Sequence, residues 1–333
     1  MSSTPPTVLV TGGAGYIGSH AVLALLDAGR RVAVIDNLTT GFRWAVPDGV
    51  AFHEGDIADA ALLARIIEAE NIVAIMHFAG SIVVPESVAD PLKYYDNNTS
   101  KSRALIASAV AGRVPHFIFS STAATYGIPE TVPVREDMPT VPINPYGRSK
   151  LMTEAMLADV AAAHPINYCA LRYFNVAGAD PRGRSGQSTA GATHLIKVAV
   201  EAALGKRSHV SVFGTDYATP DGTGVRDYIH VSDLAAAHVH ALDKLMAEPA
   251  ASHVMNCGYS RGFSVLEVLN SVDRVTNMTI ERRIEARRAG DPDALVADNG
   301  KILATLPWRP ERDDLDVIVR DALAWERKLA ERG

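Results

Sequence analysis

The chain has 333 residues, of which 47% are hydrophobic and 21% charged, a composition typical of a globular protein with one large domain or two smaller ones. Its 32 basic and 38 acidic residues give a formal net charge of −6, so the sequence indicates neither a nucleic-acid partner nor an anionic membrane partner. Two distant cysteines, without a signal-peptide pattern or a membrane-length apolar run, predict reduced thiols and a cytoplasmic location.

Short apolar segments alternate with helical patterns through the first half of the chain. Segments that are apolar along their whole length are typical of parallel strands covered on both faces. The pattern therefore predicts an α/β fold with a Rossmann-type, doubly wound parallel sheet. The predicted strands are 7–11, 31–36, 50–57, 72–80, 116–121 and 167–175, and the predicted helices are about 17–29, 59–70, 91–111 and 146–163.

Beyond residue 175 the alternation loosens, and loops rich in glycine, serine, arginine and proline recur. Such loops suit a lid over a substrate. A strand end followed by a helix returns in the segment 227–245, so the chain is expected to rejoin its first domain there. The expected domains are 1–175 with a return at about 225–257, and a smaller α/β C-terminal substrate domain of 176–224 and 258–333.

A glycine-rich turn directly follows the first predicted strand and opens the first helix. Gly13, Gly15 and Gly18 stand in GxGxxG register, with Gly12 just ahead of them. Glycines here permit a tight turn and let the backbone approach a pyrophosphate, which the helix N-terminus then holds. The alternative is a purely structural glycine turn, which the strand, turn and helix context disfavours.

Two acidic residues follow the second and third predicted strands. Asp36 stands at the offset expected for an acid that binds the adenosine ribose, and it favours NAD over NADP because it would repel a 2′-phosphate. The nearby Arg43 keeps NADP open. Asp56 could accept the adenine amino group while Ile57 packs on the ring, but a cap on the following helix is an equally good alternative for Asp56.

Tyr146 and Lys150 lie four residues apart behind Pro145, in the segment NPYGRSK. Residues at this spacing share one face of a helix, and proline suits the first helical turn. A phenol has a pKa of about 10, but a positive charge about 5 Å away favours its ionised form roughly a hundredfold. The pair is predicted to be a catalytic base with its tuning cation, beside the hydroxyl-rich segment 119–127 at a strand end. The alternative is an incidental pair on a helix surface.

Nine motifs occur in order along nearly the whole chain: TGGAGYIGSH, DNL, GDI, HFAG, YYDNN, SSTAATYG, NPYGRSK, LRYFNVAGA and GTGVRDYIHV. With them the chain resembles the extended short-chain dehydrogenase/reductase family, and FGTDYATPDGTGVRDYIHV is most similar to the sugar-nucleotide 4-epimerases of that family. The resemblance implies NAD as cofactor, a UDP-sugar as substrate, and reversible 4-epimerisation of a UDP-hexose through a 4-keto intermediate. It also implies a homodimer that pairs the helices near 91–111 and 146–163 across a two-fold axis.

The resemblance implies a role for each matching residue. Tyr146 is expected to be the base, Lys150 to bind the nicotinamide ribose and tune the base, and Thr122 to bridge the sugar 4-hydroxyl and the tyrosine. The expected cofactor-binding residues are Gly12, Gly15, Tyr16, Ile17, Gly18, Asp36, Asn37, Asp56, Ile57, Phe78, Ala79, Gly80, Asn98, Ser120, Tyr146, Lys150 and Tyr173. The expected substrate-binding residues are Thr122, Tyr146, Asn175, Leu195, Phe213, Arg226, Arg288, Asp291 and Leu295. Arg226 and Arg288 have a plain alternative as solvated surface charges.

Two positions depart from the family pattern. Ile82 stands where many members carry a lysine, so one polar contact near the cofactor is missing or supplied elsewhere. Leu295 stands where a tyrosine excludes a 2-N-acetyl group and smaller residues admit it. N-acetylated hexoses therefore stay open as substrates, as do UDP-pentoses and UDP-glucuronate.

Two other function classes compete with an epimerase. A sugar-nucleotide dehydratase would share the fold and the first hydride transfer, but its relatives carry an Asp-Glu pair where this chain has Ala123 and Ala124. A non-catalytic dinucleotide sensor is disfavoured because it has no use for a tuned phenol. No metal site is expected, since His238 and His240 lack the i, i+4 spacing of a helical metal pair.

Overall fold

The computed structural model describes residues 5–288 and 291–332, and its centre is a sheet of seven parallel strands. These are β1 Thr7–Thr11, β2 Arg31–Asp36, β3 Ala51–Glu54, β4 Ile72–His77, β5 His116–Thr122, β6 Asn167–Tyr173 and β10 His253–Cys257. Their spatial order is β10-β6-β5-β4-β1-β2-β3, so the direction of winding reverses between β1 and β4. A crevice at such a reversal, outside the carboxyl ends of the strands, is where doubly wound sheets bind ligands.

Helices cover both faces of this sheet because strands such as β1, β5 and β6 are buried along their whole length. One face carries α1 (Tyr16–Asp27) and α8 (Val231–Ala247). The other face carries α2 (Ala60–Glu70), α5 (Lys101–Ala111) and α6 (Pro145–Ala163). The Rossmann-type α/β fold predicted from the sequence is confirmed.

The rest of the chain builds a second, smaller packing unit around its own apolar cluster, to which Val200, Val272 and Ile318 belong. Its strands are β7 Asn175–Ala177, β8 Val210–Phe213, β9 Val225–His230, β11 Gly262–Ser264, β12 Arg282–Glu285 and β13 Ala294–Leu295. Its helices are α7 Leu195–Ala203, α9 Val265–Thr276 and α11 Leu315–Ala330, and the short α10 Gly300–Thr305 packs against β10 instead. β7, β9, β11 and β13 form one sheet, and β8 pairs with β12. The boundaries of the two predicted domains stay a prediction.

The helix predicted at about 91–111 is present, but its central part is π-helical rather than α-helical. After α3 (Val84–Ala89), the chain forms α4 (Pro91–Tyr94), then a π-helical turn (Tyr95–Ser100), and only then α5. A π turn contains one residue more than an α turn and is frequent at functional sites. This turn carries Asn98, and its hydrogen bonds are described below.

Two further findings concern the cysteines and the apolar character of the helices. Cys169 and Cys257 are both buried free thiols, as predicted. Among the helices of the described residues, none combines the length and apolar character needed to cross a membrane.

Candidate active site

The glycine turn between β1 and α1 is closed so tightly that side chains would not fit. Gly12 has a φ of +69°, and a Cβ built there would lie 2.7 Å from the backbone nitrogen of Ala79. A Cβ on Gly18 would collide with the carbonyl oxygen of Gly12. Gly15 stands at the N-cap of α1 and supplies no capping side chain. The first-turn amides of α1 therefore face the sheet edge, as an anion such as a pyrophosphate requires.

Asp36 ends β2, and its carboxylate accepts hydrogen bonds from the glycine turn and from the loop that follows β2. Its Oδ2 accepts a hydrogen bond of 2.9 Å from the Ala14 backbone, and its Oδ1 accepts one of 2.8 Å from the Leu38 backbone. A carboxylate has about four acceptor directions, so capacity for two ribose hydroxyls is left. Arg43 is the residue that left NADP open as an alternative cofactor. Its guanidinium carbon lies 4.6 Å from the centroid of the Phe52 ring.

The position of Asp56 excludes one of its two predicted roles. The cap of α2 is Asp59, whose side chain accepts from the Leu62 backbone at 2.9 Å, so the prediction that Asp56 caps this helix is wrong. Asp56 instead pairs with Lys101 at 2.6 Å. Its neighbour Ile57 is buried in the core.

Asn98, in the π turn, joins the loop after β4 to helix α6. Its Oδ1 accepts from the Ser81 backbone at 2.7 Å, and its Nδ2 donates to the Ser81 carbonyl at 2.9 Å and to Ser149 Oγ at 3.1 Å. Asn98 therefore shapes the Phe78–Gly80 segment predicted to line the cofactor. Ser81 and Ser149 were missed in the sequence, where an isolated serine carries no signal.

Tyr146 lies in the first turn of α6, which Asn144 caps by accepting from the Gly147 backbone at 2.8 Å. The half-buried Tyr146 ring meets Tyr94 edge-on, with 6.5 Å between ring centroids. Desolvation raises the pKa of Tyr146, and a hydrogen bond with the Thr122 side chain lowers it in part. The prediction of a lowered Tyr146 pKa is therefore wrong for the protein chain itself, because desolvation of the phenol raises that pKa.

Lys150 is buried one turn further along α6, at the carboxyl end of β5. Its Nζ donates to the Ser120 carbonyl at 3.0 Å and lies 5.0 Å from the centroid of the Phe119 ring. Burial lowers the pKa of Lys150 to about 8. Ser120 also shares a hydrogen bond with the hydroxyl of Tyr173 on β6. Tyr146, Lys150 and Thr122 thus meet at the ligand-binding edge of the sheet.

The residues predicted on the substrate side fall into three groups. Arg226 and Leu295 are neighbours in the β9–β13 register, and Arg226 Nη2 lies 3.5 Å from Asp291 Oδ1. The exposed Arg288 stacks its guanidinium 3.7 Å from the Phe213 ring centroid.

Asn175 and Leu195 form the third group and line one cavity together with Tyr16 of the glycine turn. Leu295 also packs in a small cluster that includes Ala123, the residue after Thr122. The substrate-side strand β13 therefore lies beside the predicted catalytic residues. Ile82, the departure near the cofactor, is exposed.

Comparisons with known proteins agree with this geometry. The model of the NAD dependent epimerase/dehydratase family matches residues 8–258. The UDP-glucose 4-epimerase of Azospirillum brasilense is 56% identical, with 98% of this chain and 94% of the relative covered. The Brucella ovis UDP-glucose 4-epimerase structure in complex with NAD superposes with a TM-score of 0.93 at 46% identity, covering 96% of this chain and 98% of that one. The Campylobacter jejuni UDP-Glc/GlcNAc 4-epimerase structure gives 0.85 at 46% identity, covering 97% and 99%. The chain therefore belongs to the NAD-dependent epimerase/dehydratase family, as its sequence motifs predict.

Proposed function

We propose that the protein is an NAD-dependent 4-epimerase that interconverts UDP-glucose and UDP-galactose through a 4-keto intermediate. The observation that carries the proposal is the placement of the Tyr146 side chain beside the Thr122 side chain at the carboxyl end of β5, with Lys150 one helical turn further along α6. UDP-glucose 4-epimerases align with this chain over nearly its full length, which supports the same activity here.

The residues at the sheet edge fit NAD. The turn of Gly12, Gly15 and Gly18 leaves room only for backbone beside a pyrophosphate, and Asp36 keeps acceptor capacity for ribose hydroxyls. Lys150 and Tyr173 lie at the opposite end of the proposed cofactor site, where the nicotinamide half would bind. When bound, NAD supplies the acceptor that takes the C4 hydrogen as a hydride and later returns it.

Tyr146 is the base in this mechanism. Thr122 orients the sugar 4-hydroxyl, and Tyr146 takes its proton as the C4 hydrogen departs. Because desolvation alone raises the pKa of Tyr146, the phenolate depends on nearby positive charge, which Lys150 provides from within the chain. The 4-keto sugar then turns about its diphosphate linkage, so that the hydride would return to the opposite face of C4 while Tyr146 gives the proton back to the 4-oxygen.

A sugar that must turn over within the site is best bound through the part that does not react. Arg226 and Arg288 are the proposed partners of the diphosphate, since guanidinium groups bind such anions in a bidentate manner. Phe213, Asn175, Leu195 and Asp291 are proposed to hold the nucleotide side.

N-acetylated UDP-hexoses are a second candidate substrate class. Leu295 is smaller than a tyrosine, and its cluster with Ala123 borders the catalytic segment. A solved relative at 46% identity is a UDP-Glc/GlcNAc 4-epimerase. A Leu295→Tyr variant is expected to lose any activity on UDP-N-acetylglucosamine while it keeps activity on UDP-glucose.

The test of the activity is incubation of the purified protein with each UDP-sugar, without added cofactor, and detection of the 4-epimer by NMR. Interconversion without accumulation of NADH is expected. The Tyr146→Phe variant is expected to bind UDP-sugar but to lose nearly all turnover. Wild-type protein that converts none of these sugars would contradict the proposal, and steady consumption of added NAD would indicate a net dehydrogenase instead.

A homodimer is also proposed, through α6 and the α3–α4 segment that packs against it. Val88, Leu92 and Met152 are large apolar side chains exposed on these helices, which suits burial against a second copy. Light scattering should give twice the chain mass, and Leu92→Asp should reduce it to one chain. Met246→Asp, at an exposed apolar position on α8, is the control that should keep the dimer. The cytoplasmic location stays a prediction.

A further inference from the structure

A buried ion pair lies directly behind the proposed catalytic residues. Arg172 of β6 donates to Glu154 of α6 through two parallel bonds, from Nε to Oε1 at 2.9 Å and from Nη2 to Oε2 at 2.6 Å. The side chains are only 7% and 6% exposed. Removing two charges from water is costly, and an apolar pair of the same volume would often stabilise a core as well. Stability alone is therefore a weak reason for this pair.

The pair continues a stripe of functional side chains along α6. Tyr146, Lys150 and Glu154 are spaced four residues apart, so they share one face of the helix. Each of these side chains lies against one of the last three residues of β5. Tyr146 contacts Thr122, Lys150 contacts the Ser120 carbonyl, and Glu154 accepts from the hydroxyl of Ser121. The rotation of α6 about its own axis is thus fixed against the strand that carries Thr122.

On its other side the pair reaches the substrate-side strand. Arg172 Nη1 donates to the Tyr126 hydroxyl at 3.1 Å, which donates to Asn256 Oδ1 at 2.6 Å. Asn256 Nδ2 donates to the Val134 carbonyl at 2.8 Å.

Val134 makes the last hydrogen bond of this series. The backbone nitrogen of Val134 donates to the carbonyl of Val296 at 2.8 Å. Val296 follows Leu295, so a continuous set of bonds joins the base-bearing helix to the wall of the sugar site.

We propose that Glu154 and Arg172 are positioning residues for the epimerisation, which hold the Tyr146 phenol at Thr122 and at a fixed distance from the Leu295 strand. The inference rests on the proposed function. Apart from the contacts at Ser120, Ser121 and Thr122, the facing surfaces of α6 and the sheet meet through apolar side chains such as Leu157, which tolerate small rotations and shifts of a helix. A directional, two-pronged pair does not tolerate them.

The experiment compares three variants with the wild-type protein. Glu154→Gln breaks the pair, and the double variant Glu154→Leu with Arg172→Met replaces it by apolar side chains of similar size. Asp273→Asn is the control, because Asp273 of α9 forms a partly buried pair with Arg282 of β12 away from α6, with side chains 21% and 24% exposed. The measurements are the urea midpoint, the NAD content, kcat and KM for the UDP-sugar, and the dependence of kcat on pH.

Glu154→Gln is expected to lower kcat at least tenfold with little change in KM, and to move the rise of kcat to higher pH, because the Thr122 bond no longer stabilises the phenolate. The double variant should recover the urea midpoint but not kcat or the pH profile. Asp273→Asn should lower the urea midpoint and leave kcat and its pH dependence unchanged.

Recovery of kcat together with stability in the double variant would show a merely structural pair and overturn the inference. An unchanged kcat and an unchanged pH profile in Glu154→Gln would also overturn the inference. If Glu154→Gln does not fold, the double variant alone decides between these outcomes. A wild-type protein inactive on every UDP-sugar would instead contradict the proposed function.

Discussion

Tyr146 and Lys150 are ionisable side chains that their surroundings push towards the neutral form. Burial raises the pKa of Tyr146 and lowers the pKa of Lys150 to about 8. A lysine with that pKa still carries its charge in about nine molecules of ten at pH 7. Lys150 therefore remains a positive group one turn from the phenol, and the balance between desolvation and this charge decides how much phenolate forms.

The first prediction concerns that charge. Lys150→Met should lower kcat by about 10²- to 10³-fold, because the phenolate loses its partner and general-base catalysis is worth that much. Initial rates at pH 7 to 9 are the measurement. Lys244→Met is the control, since Lys244 pairs with Glu248 on the α8 surface and its loss should leave kcat unchanged. A Lys150→Met rate equal to the control would contradict the role.

The second prediction separates backbone strain from closure of the cofactor site. Gly12 and Gly29 both have positive φ, but a Cβ on Gly12 would meet Ala79 whereas a Cβ on Gly29 would meet nothing within 4 Å. Gly12→Ala and Gly29→Ala should each cost about 1 kcal/mol or more in stability. Only Gly12→Ala should lose bound NAD, measured as nucleotide released from the purified protein on heating. Equal NAD content in both variants would refute this account of the turn.

At the scale of elements, the start of α6 sets the place of Tyr146. Asn144→Ala removes the cap and should cost about 1 kcal/mol of unfolding free energy, as should Asp59→Ala at the cap of α2. Only Asn144→Ala should also lower kcat, because Tyr146 lies within the first turn that the cap holds. Urea unfolding and steady-state rates measured on both variants check this. The same kcat in the two variants would mean that the cap is not needed to place the base.

The elements that sequence could predict are those specified locally. β1 and β2 have the predicted bounds because each is a continuous apolar run with a turn at both ends. Helix α6 begins within one residue of its predicted start because Pro145 follows an asparagine cap. The π turn depends on bonds from Asn98 to Ser81 and Ser149, which are distant in sequence, so no local pattern predicts it.

The candidate site also has features that the sequence could predict and features that it could not. Spacing placed Tyr146 and Lys150 on one face, but spacing carries no information about desolvation, and the predicted direction of the Tyr146 pKa was therefore wrong. The sequence around Glu154 is compatible with an ordinary solvated charge, and Glu154 was not predicted as a site residue. Its position four residues after Lys150, on the same helix face, was the signal that could have identified it.

At the scale of the whole molecule, buried neutral histidines link folding to pH. Burial lowers the pKa of His77 to about 3 and that of His20 and His238 to about 4, from an ordinary value of 6.5. In the unfolded chain these rings take up protons below about pH 6.5, whereas in the folded protein they stay neutral down to about pH 4 or 3. Stability is therefore fully present above pH 6.5 and is lost as pH falls.

The resulting prediction is a loss of up to about 1.4 kcal/mol per pH unit for each such histidine between pH 6 and 4. Urea unfolding at pH 7, 6 and 5 measures it. His238→Gln should make the dependence shallower, whereas His164→Gln, at an exposed position, should not. A free energy of unfolding that stays constant from pH 7 to 5 would contradict the assignment of these rings as neutral.

The most direct test of the central claim follows the hydrogen at C4 of the sugar. Purified protein is incubated with UDP-glucose deuterated at C4, in ordinary water and without added cofactor, and the product is analysed by NMR. Hydride transfer to a cofactor held in the same site, and its return, predicts UDP-galactose that keeps the deuterium at C4, with no such product from Tyr146→Phe. Replacement of the deuterium by solvent hydrogen, or an equal yield from Tyr146→Phe, would contradict the mechanism.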